Sequence, residues 1–238
     1  MPTALLYHAV CELPDSTPAT RRRLFIDPEQ FAWQLAELAR RGYGTVTLDE
    51  FHAANAEPRS PSRRVMLSFD DGYSHIFDVV TPILERHGFT AVVFVPWRHL
   101  GSHNDWDLDD PNLSRLAVAS PDQLIAAAAG PWEIASHGAR HVDLRGLDPG
   151  ERRAQLEESR LGLSDLAGRP VQDLAYPYGA HDASVREDAR AAGYRMAFAA
   201  DVGDREDLFA IPRRAIRGQE GRKAFLVKAS EHFAEFLG

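Results

Sequence analysis

Short, nearly unbroken apolar runs alternate along this chain with longer segments in which apolar residues recur every three or four positions. The runs at 5–7, 65–69, 91–95, 132–135, 174–176 and 196–199 predict buried strands, because a strand covered on both faces has no polar side to alternate with. Phe31, Leu35, Leu38 and Ala39 keep helical spacing, with Asp27 and Pro28 as start signals and Gly42 as the stop. Residues 76–87 repeat this design and end at Gly88, and further helices are expected over 121–129, 149–166, 184–192 and 222–237. Strands and helices alternating with short Gly or Pro punctuation predict parallel βα units. Six or more such units, with neither a Gly-rich dinucleotide turn nor a P-loop, favour a closed (β/α) barrel over an open sheet. Two segments break the rhythm. Residues 53–64 are polar and Pro-rich and read as a surface loop; residues 96–120 form a long insertion that carries Trp97 and Trp106.

Composition narrows the chemistry. At 238 residues, with 44% apolar and 26% charged, the chain reads as an ordinary soluble globular protein. Its single cysteine, Cys11, excludes an internal disulfide framework and any thiolate cluster, so a bound metal would need His, Asp or Glu ligands. A formal net charge of −8 argues against a nucleic-acid partner. No stretch approaches the ~20 apolar residues of a membrane span, and the start Met1-Pro2-Thr3-Ala4 has no basic n-region, so a cytoplasmic location is expected. Basic residues are nearly all arginine, with lysine only at Lys223 and Lys228, which reads as compositional bias.

Three motifs follow predicted strands. Ser68-Phe69-Asp70-Asp71-Gly72-Tyr73 places two adjacent carboxylates at a strand end, costly to hold together without a cation or proton between them; the bland reading is a turn. Ser136-His137-Gly138-Ala139-Arg140-His141 carries two histidines four apart, a spacing that suits a shared metal if both lie on one helical turn; the bland reading is a surface coincidence. In Ala175-Tyr176-Pro177-Tyr178-Gly179 the proline fixes the backbone and the Tyr178 amide is a candidate oxyanion donor; the bland reading is a strand-ending turn. In a barrel all three fall on the rim where active sites are built, so together they favour a site. A His-His-Asp set supplies three ligands and leaves positions open for water and substrate.

FDDGY, SHGARH and AYPYG, in this order, resemble the polysaccharide deacetylases of carbohydrate esterase family 4, and LLYHAV near the start with IPRR at Ile211 resembles the branch acting on poly-N-acetylglucosamine. The resemblance runs from about Ala4 to Ile216 and implies a distorted (β/α)7 barrel, TIM-barrel-like, as one catalytic domain over residues 1–238. It implies that Asp70 is the general base, that Asp71, His137 and His141 hold a divalent metal, commonly Zn2+, and that the Tyr178 amide polarises an acetamide carbonyl. The implied reaction is hydrolysis of an N-acetyl group on an N-acetylglucosamine-containing carbohydrate.

The chain departs from the family pattern at two points. The Leu-x-His motif that supplies the general acid is not visible, and His8 and His181 are the candidates for that role. The arginine expected two positions before Pro177 is replaced by Ala175, and Arg213 is the candidate to pair with Asp70 in its place. Trp106 or Trp97 can offer a stacking surface to a sugar, and Asp105, Asp107, Asp109 and Asp110 are either a substrate wall or a solvated charge run. Two other readings remain: a hydrolase of a small non-sugar amide or cyclic amide on the same barrel, and a catalytically silent carbohydrate-binding domain. The expected absence of a leader feeds the first; intact Asp70, Asp71, His137 and His141 argue against the second.

Overall fold

The computed structural model describes residues 2–13, 17, 21–56, 63–107, 115–200, 203–204, 206–218 and 220–230. Seven parallel strands organise it: β1 Thr3–Tyr7, β2 Arg64–Phe69, β3 Ala91–Val95, β4 Trp132–Ser136, β5 Asp173–Ala175, β6 Met196–Phe198 and β7 Arg214–Ala215. They pair in the order β7-β1-β2-β3-β4-β5-β6, with the short strand Gly44–Thr45 also pairing β2. The segment 211–215 carries the chain from one end of this order to the other. The Ile211 N–H donates to the Ala197 carbonyl and the Ala199 N–H to that of Ile211, and three residues further on Arg214 pairs with Leu5 of β1. The sheet thus curls into a distorted (β/α)7 barrel.

Helices α1 Pro28–Arg40, α2 Leu48–Ala56, α3 His75–His87, α4 Pro121–Ala128, α5 Pro149–Ala167, α6 Ala183–Ala191 and α7 Arg222–Ala229 accompany the strands. Their starts follow capping chemistry: Asp27 accepts from the Glu29 and Gln30 amides, Asp148 from those of Gly150 and Glu151, and Ser120 with Gln123 forms a reciprocal box. Strand side chains sort by parity, since successive residues point to opposite faces. Leu5, Leu67, Val93 and Ile134 pack outward among Phe31, Leu35, Ile76, Val80 and Leu84. Ala4, Met66, Val92, Phe94, Ala135 and Phe198 form a separate buried cluster that also takes in Phe51 of α2, whose ring meets Phe198 at 5.5 Å. The parity of the second set runs through Met66 and Ser68 to Asp70 and through Ala135 to His137, so the inward register of two strands sets up the site.

Two expectations change. Residues 53–56 belong to α2 rather than to a loop, because Phe51 anchors that helix by burying its ring, while its low-contrast sequence hides the period. The seventh strand, two residues long, has no hydrophobic run to announce it. The expected last helix ends at Ala229, where Ser230 turns extended (φ −80°, ψ 149°); residues 231–237 of that expectation lie outside the described residues. Among the described residues no helix is long and apolar enough to cross a membrane.

Candidate active site

Asp70 sits one residue past β2, its N–H donating to the Tyr7 carbonyl at 3.0 Å. The next two residues turn left-handed, Asp71 at φ 70° and Gly72 at φ 63°. That is an uncommon conformation for a non-glycine residue and marks a locally constrained backbone. Asp70 and Asp71 are both buried. Arg213, fully buried at 0% exposure, meets Asp70 with both terminal nitrogens, Nη1 to Oδ1 at 2.6 Å and Nη2 to Oδ2 at 2.7 Å, while its Nε donates to the Ala199 carbonyl at 3.0 Å. A bidentate guanidinium–carboxylate pair fixes orientation as well as charge. Burial pushes the Asp70 pKa up, but Arg213 and His137 outweigh it and hold the carboxyl below its ordinary value.

Asp71 faces two imidazoles. Its Oδ1 lies 3.1 Å from His141 Nε2 and 3.6 Å from His137 Nε2. One ligand atom from each of Asp71, His137 and His141 falls within 4.8 Å of the others, and all three residues are buried. The His pair does not share a helical turn as its spacing suggested. His137 follows β4 directly, Gly138 takes φ 73° and His141 φ 53°, and this loop, not a helix, brings the two rings to 4.8 Å. Below it, Ser136 Oγ lies 2.8 Å from Ser159 Oγ, accepts from Tyr194 at 2.7 Å and accepts the Gly138 N–H at 3.2 Å, tying the loop to α5.

The donor set fits a divalent ion. His137 Nδ1 lies 2.7 Å from the Ala175 carbonyl, which only accepts, so the ring proton sits on Nδ1 and the Nε2 lone pair faces Asp71. Burial pushes His137 down to about 4, against the pull of Asp70, so the ring is a neutral ligand at pH 7. Burial likewise raises the Asp71 pKa, but the His141 hydrogen bond and charge more than reverse it, keeping the carboxylate ionised. Two donors on one ion at about 2.1 Å stand roughly 3.0–3.4 Å apart, close to the 3.1 and 3.6 Å that separate Asp71 Oδ1 from the two imidazole nitrogens.

A cleft of about 310 Å³ opens over this group and is lined in part by Leu6, His8, Asp70, His137, His141 and Tyr178. Tyr178 is 55% exposed and held at φ 61°. Its ring stands edge-on to His141 at 4.6 Å, and its hydroxyl donates to the His141 carbonyl at 3.4 Å. Trp106 stacks on another side of His141, at 4.6 Å and 28°, and borders a shallow groove shared with Val142 and Tyr178. Trp97 lies elsewhere. It packs into the outer core against Gly162 of α5, where a Cβ would run into its ring. His181 stacks on Tyr176 at 5.1 Å, its Nδ1 is 3.1 Å from the Gly179 carbonyl, and it is not among the cleft-lining residues. Asp105 pairs with Arg115 at 2.9 Å on the surface; Asp109 and Asp110 lie outside the described residues. The Ala175 carbonyl that orients His137 carries no sequence signal, because a backbone acceptor is common to every residue type.

Gly179 supports the Tyr178 turn. At φ 67° its Cβ position lies 2.5 Å from Ala200 Cβ and 2.6 Å from the Ala200 amide. Gly179→Ala is therefore expected to destabilise the protein by about 1–3 kcal/mol, read as a lower denaturant midpoint at unchanged m-value; an unchanged midpoint would show that this turn is loosely held.

Comparison with known proteins bears on the family and the fold. A family model described as "Polysaccharide deacetylase" matches residues 57–197. A poly-beta-1,6-N-acetyl-D-glucosamine N-deacetylase from Staphylococcus epidermidis is 27% identical over 165 residues, 65% of this chain and 54% of that protein. The chain spans 54–64% of the length of the first curated relatives it matches. Among solved structures, the Streptococcus pyogenes deacetylase PplD in complex with acetate aligns with a TM-score of 0.82 at 20% identity, covering 96% of this chain and 98% of that one. IcaB from Ammonifex degensii aligns at 0.74 and 19% identity, covering 95% and 94%. At these identities the structural likeness speaks to the barrel.

Proposed function

Because the chain belongs to the polysaccharide deacetylase family, we propose that it is a metal-dependent hydrolase that removes the N-acetyl group from an N-acetylated sugar, yielding acetate and a free amine. The observation that carries this reading is a carboxylate clamped by Arg213 beside the buried ligand atoms of Asp71, His137 and His141. Those three residues would hold the metal, zinc by the chemistry of one carboxylate and two imidazoles. When bound, a divalent ion supplies Lewis acidity to the reacting oxygens.

The chain's own groups do the rest. Asp70, ionised at neutral pH, is the general base that takes a proton from the attacking water as its oxygen bonds the acetamide carbon. Arg213 is a positioning residue. It holds both Asp70 oxygens in one plane, and its charge keeps the carboxylate from retaining a proton at rest. We assign the Tyr178 backbone N–H to the developing oxyanion; one such donor is worth about 10²–10³ in rate where it has been removed. As the C–N bond breaks the amine needs a proton. His8 lines the cleft and interacts electrostatically with both Asp70 and Asp71, which favours it over His181 as the donor. Trp106, stacked on His141 at the edge of the open groove, is the aromatic face for a neighbouring sugar ring.

An acetate-release screen with added zinc, and again with chelator, over N-acetylglucosamine oligomers, nucleotide sugars and small cyclic amides tests the reading. Acetate is expected from the acetylated sugars and only with metal present. Turnover confined to the small amides would replace the sugar substrate with the non-sugar one, and equal turnover under full chelation would remove the metal from the mechanism.

A further inference from the structure

The insertion 96–120 is stitched to both loops that carry the ligand set. At its start, the Trp97 and Arg98 N–H groups donate to the Gly138 and Ala139 carbonyls at 3.1 and 2.9 Å, inside the loop that runs from His137 to His141. At its end, the Ala119 N–H donates to the Gly72 carbonyl and the Ser74 N–H to that of Ala117, both at 2.9 Å and close to Asp71. Between these anchors the chain doubles back on itself. The Val118 N–H donates to the Ser102 carbonyl at 2.9 Å and the Asn104 N–H to that of Leu116 at 3.1 Å. The Leu116 N–H in turn donates to Oδ1 of the buried Asn104 at 2.8 Å, and Asp105 pairs with Arg115. Trp106 comes next on this arm, and its indole stacks on His141.

The two imidazoles of the set are held by different means. A ligating imidazole almost always donates its other N–H to an acceptor, which fixes the tautomer and the ring plane; loss of such a partner costs about 10–100-fold in metal affinity. His137 has one in the Ala175 carbonyl. His141 Nδ1 is buried and has no hydrogen-bond partner among the described residues. Its ring is confined by other rings instead, Trp106 at 4.6 Å and 28° and Tyr178 at 4.6 Å and 73°. The indole is itself held to this loop, because His99 meets it at 4.7 Å and 82° while His99 Nε2 lies 3.3 Å from the Arg140 carbonyl. An imidazole that gives its lone pair to a cation becomes electron-poor, and an indole face attracts such a ring more than an unliganded one. Stacking therefore favours the ligating arrangement over its alternatives.

We infer that Trp106 is a positioning residue of the metal site: its indole holds the His141 ring in the ligating plane, the task that the Ala175 carbonyl performs for His137. The inference rests on the reading of Asp71, His137 and His141 as metal ligands. It gives the insertion a part in assembling the ligand set besides that of walling a sugar groove.

Zinc Kd values, from competition with a chelator of known affinity, are compared for the wild type, Trp106→Leu and Trp106→Phe. Trp106→Leu is expected to weaken zinc binding by about 10–100-fold, and Trp106→Phe, which keeps an aromatic face, to recover most of that loss. The kcat and KM for N-acetylglucosamine oligomers separate the two roles of the indole. Activity lost through His141 returns as zinc is raised far above each variant's Kd, whereas loss of a sugar face persists as a higher KM. A second measurement needs no variant and still decides the matter should Trp106→Leu not fold. In the zinc-loaded wild type, the His141 Nδ1 proton, lacking an acceptor, should resonate upfield of the hydrogen-bonded His137 Nδ1 proton. A Trp106→Leu Kd equal to that of the wild type, or a Trp106→Phe Kd as weak as that of Trp106→Leu, overturns the inference. So does a His141 Nδ1 proton as far downfield as that of His137, since an acceptor would then be fixing the ring. A wild type that binds no zinc defeats the metal reading and this inference with it; zinc binding without acetate release from any sugar defeats only the deacetylase reading.

Discussion

Asp70→Asn is expected to lower deacetylation by about 10²–10⁴-fold and, in the same variant, to cost about 3–5 kcal/mol of folding stability. The two losses have different origins. The rate falls because an amide oxygen is a poor proton acceptor, so the attacking water loses its base. The stability falls because Arg213 is fully buried and Asp70 is the carboxylate that neutralises it, with both terminal nitrogens committed. Asparagine leaves that guanidinium charged in the barrel interior. Single replacement of a buried pair is the expensive change; replacing both members with apolar residues of similar volume is often neutral. The double variant Asp70→Leu/Arg213→Met should therefore recover most of the stability and none of the activity.

The pH dependence separates this from a packing defect. The native Asp70 carboxyl titrates below its unfolded value. Its contribution is then fully present above the unfolded pKa of roughly 3.9 and is lost as pH falls through the lower native one. The stability gap between wild type and Asp70→Asn should hold flat from pH 7 to about 4 and close only in stronger acid. A gap that already closes near pH 6, or a variant retaining near wild-type turnover, would remove Asp70 from both roles.

The parts of the molecule legible in its sequence are those where a local rule and the tertiary structure agree. Strand β3 is apolar throughout because both its faces are covered, and its bounds read directly. Asp27-Pro28 and Ser120-Pro121 cap helices by chemistry contained within four residues. Asp70, Asp71, His137 and His141 were readable as candidates because a barrel rim turns motif order into proximity. What escaped depends on distant partners. Helix α2 is held by Phe51 meeting Phe198 across the barrel, 147 positions apart in sequence, so its own pattern is weak. The His137–His141 spacing suggested a helical turn, yet left-handed backbone at Gly138 and His141 builds the pair from a loop. Trp97 and Trp106 look alike in sequence and both pack, partly buried, against the outer core; the absence of a Cβ at Gly162 seats Trp97 against α5, while Trp106 also stacks on His141. Arg21, Arg23 and Arg217 line one cleft in the fold, though nothing in their sequence positions groups them.

Zinc should raise the thermal midpoint of the wild type and leave that of His137→Ala nearly unmoved. A ligand that binds only the folded state stabilises it by about 2.7 kcal/mol at a hundredfold excess over Kd. Removing one of three protein ligands takes away the imidazole whose proton is held on Nδ1 by the Ala175 carbonyl and whose Nε2 completes the group. Asp71→Ala should behave in the same way toward zinc, but the two variants should differ without it. His137→Ala empties a buried ring-sized volume beside Asp70 and is expected to cost about 2–4 kcal/mol, by analogy with other large-to-small buried substitutions. Asp71→Ala removes a buried charge, so much of the desolvation penalty of that carboxylate disappears with it. The metal-free midpoint of Asp71→Ala should then lie above that of His137→Ala while neither responds to zinc. Metal content of the purified proteins provides the second readout, near one ion per chain in the wild type and near none in either variant. An equal zinc-induced shift in all three proteins would place the ion elsewhere and dissolve the argument that these three side chains are kept together to hold it.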